Sequence, residues 1–318
     1  MASERFIAVT GGVGGAKLAL GLTQLLSPDE IAFIVNTGDD FEHLGLHVSP
    51  DIDTLVYTLS GQSNTEAGWG RRGETWQFMH ALKQFGGEAW FNLGDLDLAM
   101  HVERTQRLRK GATLTEVTEQ LGTALGVQYR VLPMSDAPVR TMIGTANGEL
   151  AFQHYFVRDR CAPAVTGFRF AGSAAAAPTR QIEDRFDDPD LAGVIICPSN
   201  PFVSVDPVLA VPGMREGLKR RRVPIVAVSP IVAGTAIKGP TAKMMSELSI
   251  PNDAVSVARH YRGLIDGFVM DHQDAALENA VGALGIATVV TQTVMLSLAD
   301  RRQLAADVLQ FFRRLKSA

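Results

Sequence analysis

A chain of 318 residues suffices for one large α/β domain or two modest ones, and 46% hydrophobic, 20% charged and 7% aromatic residues exclude a disordered or fibrous polypeptide. Thirty Lys plus Arg against 34 Asp plus Glu leave a net charge of −4, so any phosphate site must be local, with no chain-wide basic footprint for nucleic acid or anionic lipid. The two cysteines, Cys161 and Cys197, lack the spacing of a zinc or redox motif. Neither a secretory signal after Met1 nor an apolar run of the roughly 20 residues a membrane span needs can be read, so a cytoplasmic protein is expected.

In chain order, Phe6 to Val9 reads as a short buried strand, followed by the turn Gly11-Gly12-Val13-Gly14-Gly15-Ala16-Lys17 and a helical run from Leu18 to Leu26. A second buried strand, Ile31 to Val35, ends in Asn36-Thr37-Gly38-Asp39-Asp40. Pro50 suits a first helical turn, which places Asp51 and Asp53 of Ser49-Pro50-Asp51-Ile52-Asp53-Thr54 near a helix N-terminus. Arg140 to Val157, with Asn147-Gly148 at its tip, reads as a β-hairpin. Ala171 to Pro178 reads as a surface loop or helix start. The apolar runs Gly193 to Cys197 and Ile225 to Val228 each end in a Ser/Pro loop, and Arg301 to Leu315 carries the stripe of an amphipathic helix. Short continuous Val/Ile runs alternating with helices predict an α/β fold. The expectation is a doubly wound, mostly parallel Rossmann-like sheet with an inserted β-hairpin/α region near residues 136–190, in a single domain spanning 1–318. Ligand chemistry then belongs at the strand ends.

The glycine turn satisfies neither the P-loop nor the dinucleotide pattern, since Ala16, Leu18 and Lys17 stand at required positions. Small residues at a first strand end still suit a phosphate cradle of Gly11, Gly12, Gly14 and Gly15 with Lys17 as a cation, the alternative being a tight turn. Asp39, Asp40, Asp51 and Asp53 bring two acidic pairs to one sheet edge, a donor set for Mg²⁺, against the alternative of simple helix-dipole complementarity. Asp95 and Asp97 precede His101 and Arg104 on a further helix. His101 reads equally as a functional or a buried structural histidine. Gly68 to Trp76 holds Trp69 and Trp76 with two arginines, a set that can stack on a planar heterocycle or pack a loop. Pro198-Ser199-Asn200-Pro201 and Ser229-Pro230 supply donors that suit a base or phosphate pocket, or ordinary turns.

Taken in order, the glycine turn, Asn36 to Asp40, Ser49 to Thr54, Gly68-Trp69-Gly70, Leu132-Pro133-Met134-Ser135-Asp136, Pro198 to Pro201 and Val228 to Ile231 resemble the 2-phospho-L-lactate transferase family (CofD, or FbiA). The resemblance implies a step in making the deazaflavin coenzyme F-420. A guanosine diphosphate-activated phospho-acid (phospholactyl, phosphoenolpyruvyl or phosphoglyceryl) donates to the ribityl hydroxyl of Fo, GMP leaves, and Mg²⁺ is required. It implies Asp40 and Asp53 as catalytic residues and Asp40, Asp51 and Asp53 as metal ligands. The substrates would be held by Gly11, Gly12, Gly14, Gly15, Lys17, Asp53, Trp69, Asp95, Ser199 and Asn200. It also implies a homodimer, an upstream guanylyltransferase and a downstream glutamate ligase. The family's Leu-Gly-Asp-Arg-Asp and Ala-Thr-His segments here carry Leu96 and Met100 in place of Arg and Thr. A non-catalytic nucleotide-sugar-binding regulator of the YvcK-like group is the alternative implied by the shared fold.

Overall fold

The computed structural model describes residues 4–64 and 68–317. Seven strands form one sheet: β1 (Arg5–Thr10), β2 (Ile31–Val35), β5 (Arg130–Pro133), β9 (Leu191–Ile196), β10 (Ile225–Val228), β13 (Gly267–Asp271) and β14 (Ala287–Thr291). The remaining strands are the ribbon β3 (Phe41–His43) and β4 (Leu46–Val48), the pair β11 (Ile231–Val232) and β12 (Thr235–Ala236), and the three-stranded β6 (Arg140–Thr145), β7 (Gly148–Ala151) and β8 (Gly167–Ala171). The large sheet runs β14-β13-β10-β9-β1-β2-β5, and every neighbouring pair is parallel. The chain winds outward from β1 to β5, returns to β9 beside β1, and winds outward again to β14. This is the expected doubly wound α/β fold, with its topological switch between β1 and β9.

Alternation along the strands splits the core into two layers. Phe6, Ala8, Phe33 and Val35 face helices α1 (Gly12–Leu22), α2 (Pro50–Leu59) and the terminal helix Leu298–Ser317, through Leu18, Ile52 and Phe312. Ile7, Val9, Ile34 and Val194 face the opposite layer, with Ile182, Phe186, Met214 and Met244. Strands buried on both faces cannot show the polar alternation of a half-exposed strand, which is why these runs read as continuously apolar. Each fully buried Leu, Ile or Phe stabilises the fold by about 1.5–3 kcal/mol.

The hairpin forms at Asn147-Gly148 as expected, and β8 pairs on the other edge of β6. Its second strand is shorter than the sequence suggests: it ends at Ala151, and His154–Arg158 turn helically to bury Tyr155. The stretch Ala171 to Pro178 contains a helical turn at Ser173–Ala175. Among the described residues no helix is long and apolar enough to cross a membrane, and both cysteines are unpaired.

Candidate active site

A cleft of ≈ 660 Å³ opens at the carboxyl ends of the central strands, lined by Gly11 to Gly14 after β1, Asp39 after β2, Pro198 to Asn200 after β9 and Thr293 to Met295 after β14. The local reason for the glycines is close approach. Gly12 adopts φ +65°, and a Cβ on Gly14 would collide with the Pro198 carbonyl oxygen. The Gly11 N–H donates to Ser199 Oγ at 3.2 Å, and that hydroxyl donates to the Gly11 carbonyl at 2.8 Å, locking the two loops together. Gly15 points away from the cleft, packed against Thr10 and Ser199. Helix α1 has no acidic residue in its own first turn, and although Asp51 takes the Gly12 N–H, the N–H groups that follow leave a positive end that suits an anion. One turn on, Lys17 lines the cleft and donates to the Met295 carbonyl at 3.0 Å. Burial, with Arg301 and Lys238 nearby, holds its amine below the usual lysine range. Asn200 lines the same wall, its Oδ1 accepting the Phe202 N–H at 3.0 Å.

The acidic residues separate into three environments. Asp51 accepts the Gly12 N–H at 2.8 Å and the Asn36 amide at 2.9 Å. Burial, with Asp40 nearby, outweighs those bonds and pushes its carboxyl up to about 6. Asp39, also on the cleft wall, is driven well above the carboxylate range by burial and then by the Asp51 charge, and its Oδ1 has no hydrogen-bond partner. Two buried carboxyls that resist ionising beside one another, one of them with an unpartnered oxygen, suit a hard divalent cation that would take up their charge. Asp40 does not line the cleft: its Oδ2 accepts from Ser49 Oγ at 2.8 Å and faces His47 Nε2 at 3.1 Å, which ties α2 to the β3–β4 ribbon.

Asp53 lies against helix α4, which is the fourth helix in the chain (Asp95–Arg109), after α3 (Gln77–Gln84). Arg104, 1% exposed, holds both Asp53 oxygens, Nη1 reaching Oδ2 at 3.1 Å and Nη2 reaching Oδ1. Nη1 also lies 3.2 Å from His101 Nδ1. His101 Nε2 faces Asp97 Oδ2 at 3.5 Å, and Tyr57 donates to Asp97 Oδ1 at 2.5 Å. Asp53, Asp97 and His101 offer ligand atoms within 4.8 Å of one another. A guanidinium already occupying Asp53 and facing Nδ1 opposes a second cation there, so this trio does not fit a metal as Asp39 and Asp51 do.

The rim carries Gly68, Trp69 and Gly70, with Trp69 49% exposed and its ring 6.1 Å from that of Trp76. Asp95 lies outside the cleft. It caps α3, accepting the Gln77 and Phe78 N–H groups at 3.1 Å each, while Glu74 caps α4 through the N–H groups of Leu96 at 2.8 Å and Asp97 at 2.9 Å. Leu96 is exposed and does not line the cleft, and Met100 places its sulfur 3.0 Å from the Tyr57 hydroxyl. Sequence reading placed Asp39 among the acidic pairs and left His101 open between a functional and a structural role, but gave Tyr57, Asp97 and Arg104 no task in the site. The signal was present in helical spacing: Asp97, His101 and Arg104 stand at i, i+4 and i+7, and Asp53 and Tyr57 at i and i+4.

A cleft at the switch point of a doubly wound sheet, with glycines on one wall and carboxylates on another, defines an α/β protein whose ligand site lies at the carboxyl ends of its strands. The family model of 2-phospho-L-lactate transferase CofD matches residues 6–282, and the chain belongs to that family. It is 37% identical to the 2-phospho-L-lactate transferase of Methanosarcina mazei over 96% of this chain and all of that one. It is equally 37% identical to the phosphoenolpyruvate transferase of Streptomyces griseus over 98% of this chain and all of that one. Among solved structures, a UPF0052-family protein of Bacillus halodurans shares the fold with TM-score 0.63 and 15% identity, covering 97% of this chain and 99% of that one.

Proposed function

We propose that the protein is a phospho-acid transferase of coenzyme F-420 biosynthesis, moving the phospho-acid group of a guanosine diphosphate-activated donor to the ribityl hydroxyl of Fo and releasing GMP. The observation that carries this reading is family membership across residues 6–282, joined to a cleft whose walls divide into a phosphate cradle and an acidic face. Phosphoryl transfer asks a protein mainly for positioning and charge neutralisation. Gly11, Gly12 and Gly14, with Lys17, would cradle the diphosphate at the α1 N-terminus, and Ser199 and Asn200 would flank the nucleotide. Asp39 and Asp51 would hold Mg²⁺, which when bound neutralises charge on the phosphate oxygens. Asp53, fixed by Arg104, would orient the attacking hydroxyl, and Trp69 would stack against the deazaflavin ring. Asp40 supports α2 from behind.

The YvcK-like regulator reading needs the cradle but no acidic wall for an acceptor. The test is mass spectrometry of reactions holding Fo, GTP, Mg²⁺, an active guanylyltransferase and, in separate tubes, 2-phospholactate, phosphoenolpyruvate or 3-phosphoglycerate. An Fo-phospho-acid product is expected, and the tube that contains it names the acid. No product in any tube, with pyrophosphate release confirming the partner enzyme, sinks the transferase reading in favour of the regulator.

A further inference from the structure

The acid half of the donor brings a charge that the glycine cradle does not account for. Whichever phospho-acid is used, 2-phospholactate, phosphoenolpyruvate or 3-phosphoglycerate, it carries a carboxylate besides its phosphate. Facing Asp39, Asp51, Asp53 or Asp97 on the acidic side of the cleft, that carboxylate would be repelled. It needs a cation elsewhere. Among the described residues that line the cleft, the only lysines or arginines are Lys17 and Lys238. Lys17 stands beside the cradle on α1. Lys238 comes from the loop between β12 and the helix Thr241–Glu247, and its side chain is exposed at the mouth. There it reaches the tryptophan rim, since a Cβ placed on Gly68 would land on its Nζ. No hydrogen bond or ion pair holds its ammonium among the described residues. The charges that act on Lys17, after burial, are those of Arg301 and Lys238, both cations. Like charges gathered at a cleft mouth are relieved by an anion between them.

We infer that Lys238 binds the carboxylate of the activated phospho-acid, so that the donor is gripped at both ends, its diphosphate in the cradle and its acid at the mouth. The acid is the half that moves to the acceptor, and Lys238 lies against Gly68, next to Trp69, where the acceptor ring is assigned. Lysine suits this task as a compact charge on a flexible stem, able to follow a carboxylate carried on different carbon skeletons. Because all three acids share the carboxylate, the contact selects acids as a class and does not tell one from another. The carboxylate also keeps its charge throughout the transfer and leaves on the product. Its contact with Lys238 is therefore as strong in the ground state as in the transition state, and acts on KM rather than kcat. Lys238 is a binding residue, not a catalytic one.

The inference rests on the transferase reading, and the test separates the two. With Fo saturating, Lys238→Met should raise the KM for guanosine diphosphate-activated 2-phospholactate about tenfold, the loss of one charge-assisted hydrogen bond, and leave kcat within about twofold. GDP, which lacks the acid, should bind this variant within about twofold of wild type by calorimetry. Lys238→Arg should recover part of the loss. The matching change on the substrate is a donor whose carboxylate is replaced by a carboxamide. Wild type should lose about tenfold in KM with it, and Lys238→Met should lose no more, because the partner is already gone. The carboxylate assignment is overturned, with the transferase left intact, by any of three results: Lys238→Met uses the acid donor as wild type does, loses GDP as well, or still separates acid from amide by the wild-type factor. Wild-type protein that turns over none of the three activated acids removes both.

Discussion

Arg104 and Asp53 are a buried ion pair, and such a pair is costly to break because the surviving charge is left uncompensated. Asp53→Asn should therefore lower both turnover and stability, the latter by about 3–5 kcal/mol in urea unfolding, and adding Arg104→Met should return most of the stability without the activity. Sequence alone points to Asp53 as a site residue but gives no sign of this cost, because its partner lies 51 residues away on another helix. Asp271 offers a pH test away from the acidic wall. Burial alone would raise its carboxyl, but bonds from Thr293 N–H at 2.8 Å, Thr293 Oγ1 at 3.0 Å, Gln273 N–H at 3.1 Å and Gln273 Nε2 at 3.2 Å hold it below its ordinary value of 3.8. A depressed folded value means its stabilisation is present above the unfolded value and lost as pH falls through the folded one. Unfolding free energy of the wild type should thus fall more steeply below pH 4 than that of Asp271→Asn, and parallel pH profiles would refute the assignment.

Between elements, glycines set how closely the layers pack. A Cβ on Gly21 of α1 would collide with the Arg301 carbonyl of the terminal helix, and one on Gly193 of β9 with the Phe312 ring. Gly21→Val should cost at least about 1–3 kcal/mol, read as a lower urea midpoint, because the helices must part to admit the side chain. Strands β1, β2, β9 and β10 were legible from their apolar runs, α2 from Pro50 at its start and the hairpin tip from Asn147-Gly148, whereas α1 was legible only in part: Gly12 to Lys17, read as a turn, is already helix, and the helix ends at Leu22, short of Leu26. β13 and β14 were not, because their apolar runs are short: Phe268 to Met270 spans three residues before Asp271, and Val289-Val290 is flanked by Thr288 and Thr291. The site's glycine wall and Asp51 were legible because they are local in sequence. Asp97 and Arg104 were not, since only tertiary packing of α4 on α2 gives them partners.

For the molecule as a whole, binding at the switch point couples loops from both halves of the sheet, so a ligand there should stabilise the entire fold. GDP at 100 times its dissociation constant should add about 2.7 kcal/mol to the unfolding free energy. Gly14→Ala, whose Cβ meets Pro198, should abolish that increment, and an undiminished increment in this variant would move the nucleotide elsewhere. The crossed caps of α3 and α4 bear on the same coupling. Glu74 lies five residues beyond Trp69 and holds the backbone N–H of Asp97, while Asp95 holds the start of the helix that follows Trp76. The aromatic rim and the acidic wall are thus cross-braced at two points. Whatever seats itself against Trp69 also presses on the backbone that carries Asp97, and a rim loop transplanted from a relative without its own glutamate would bring a misaligned wall with it.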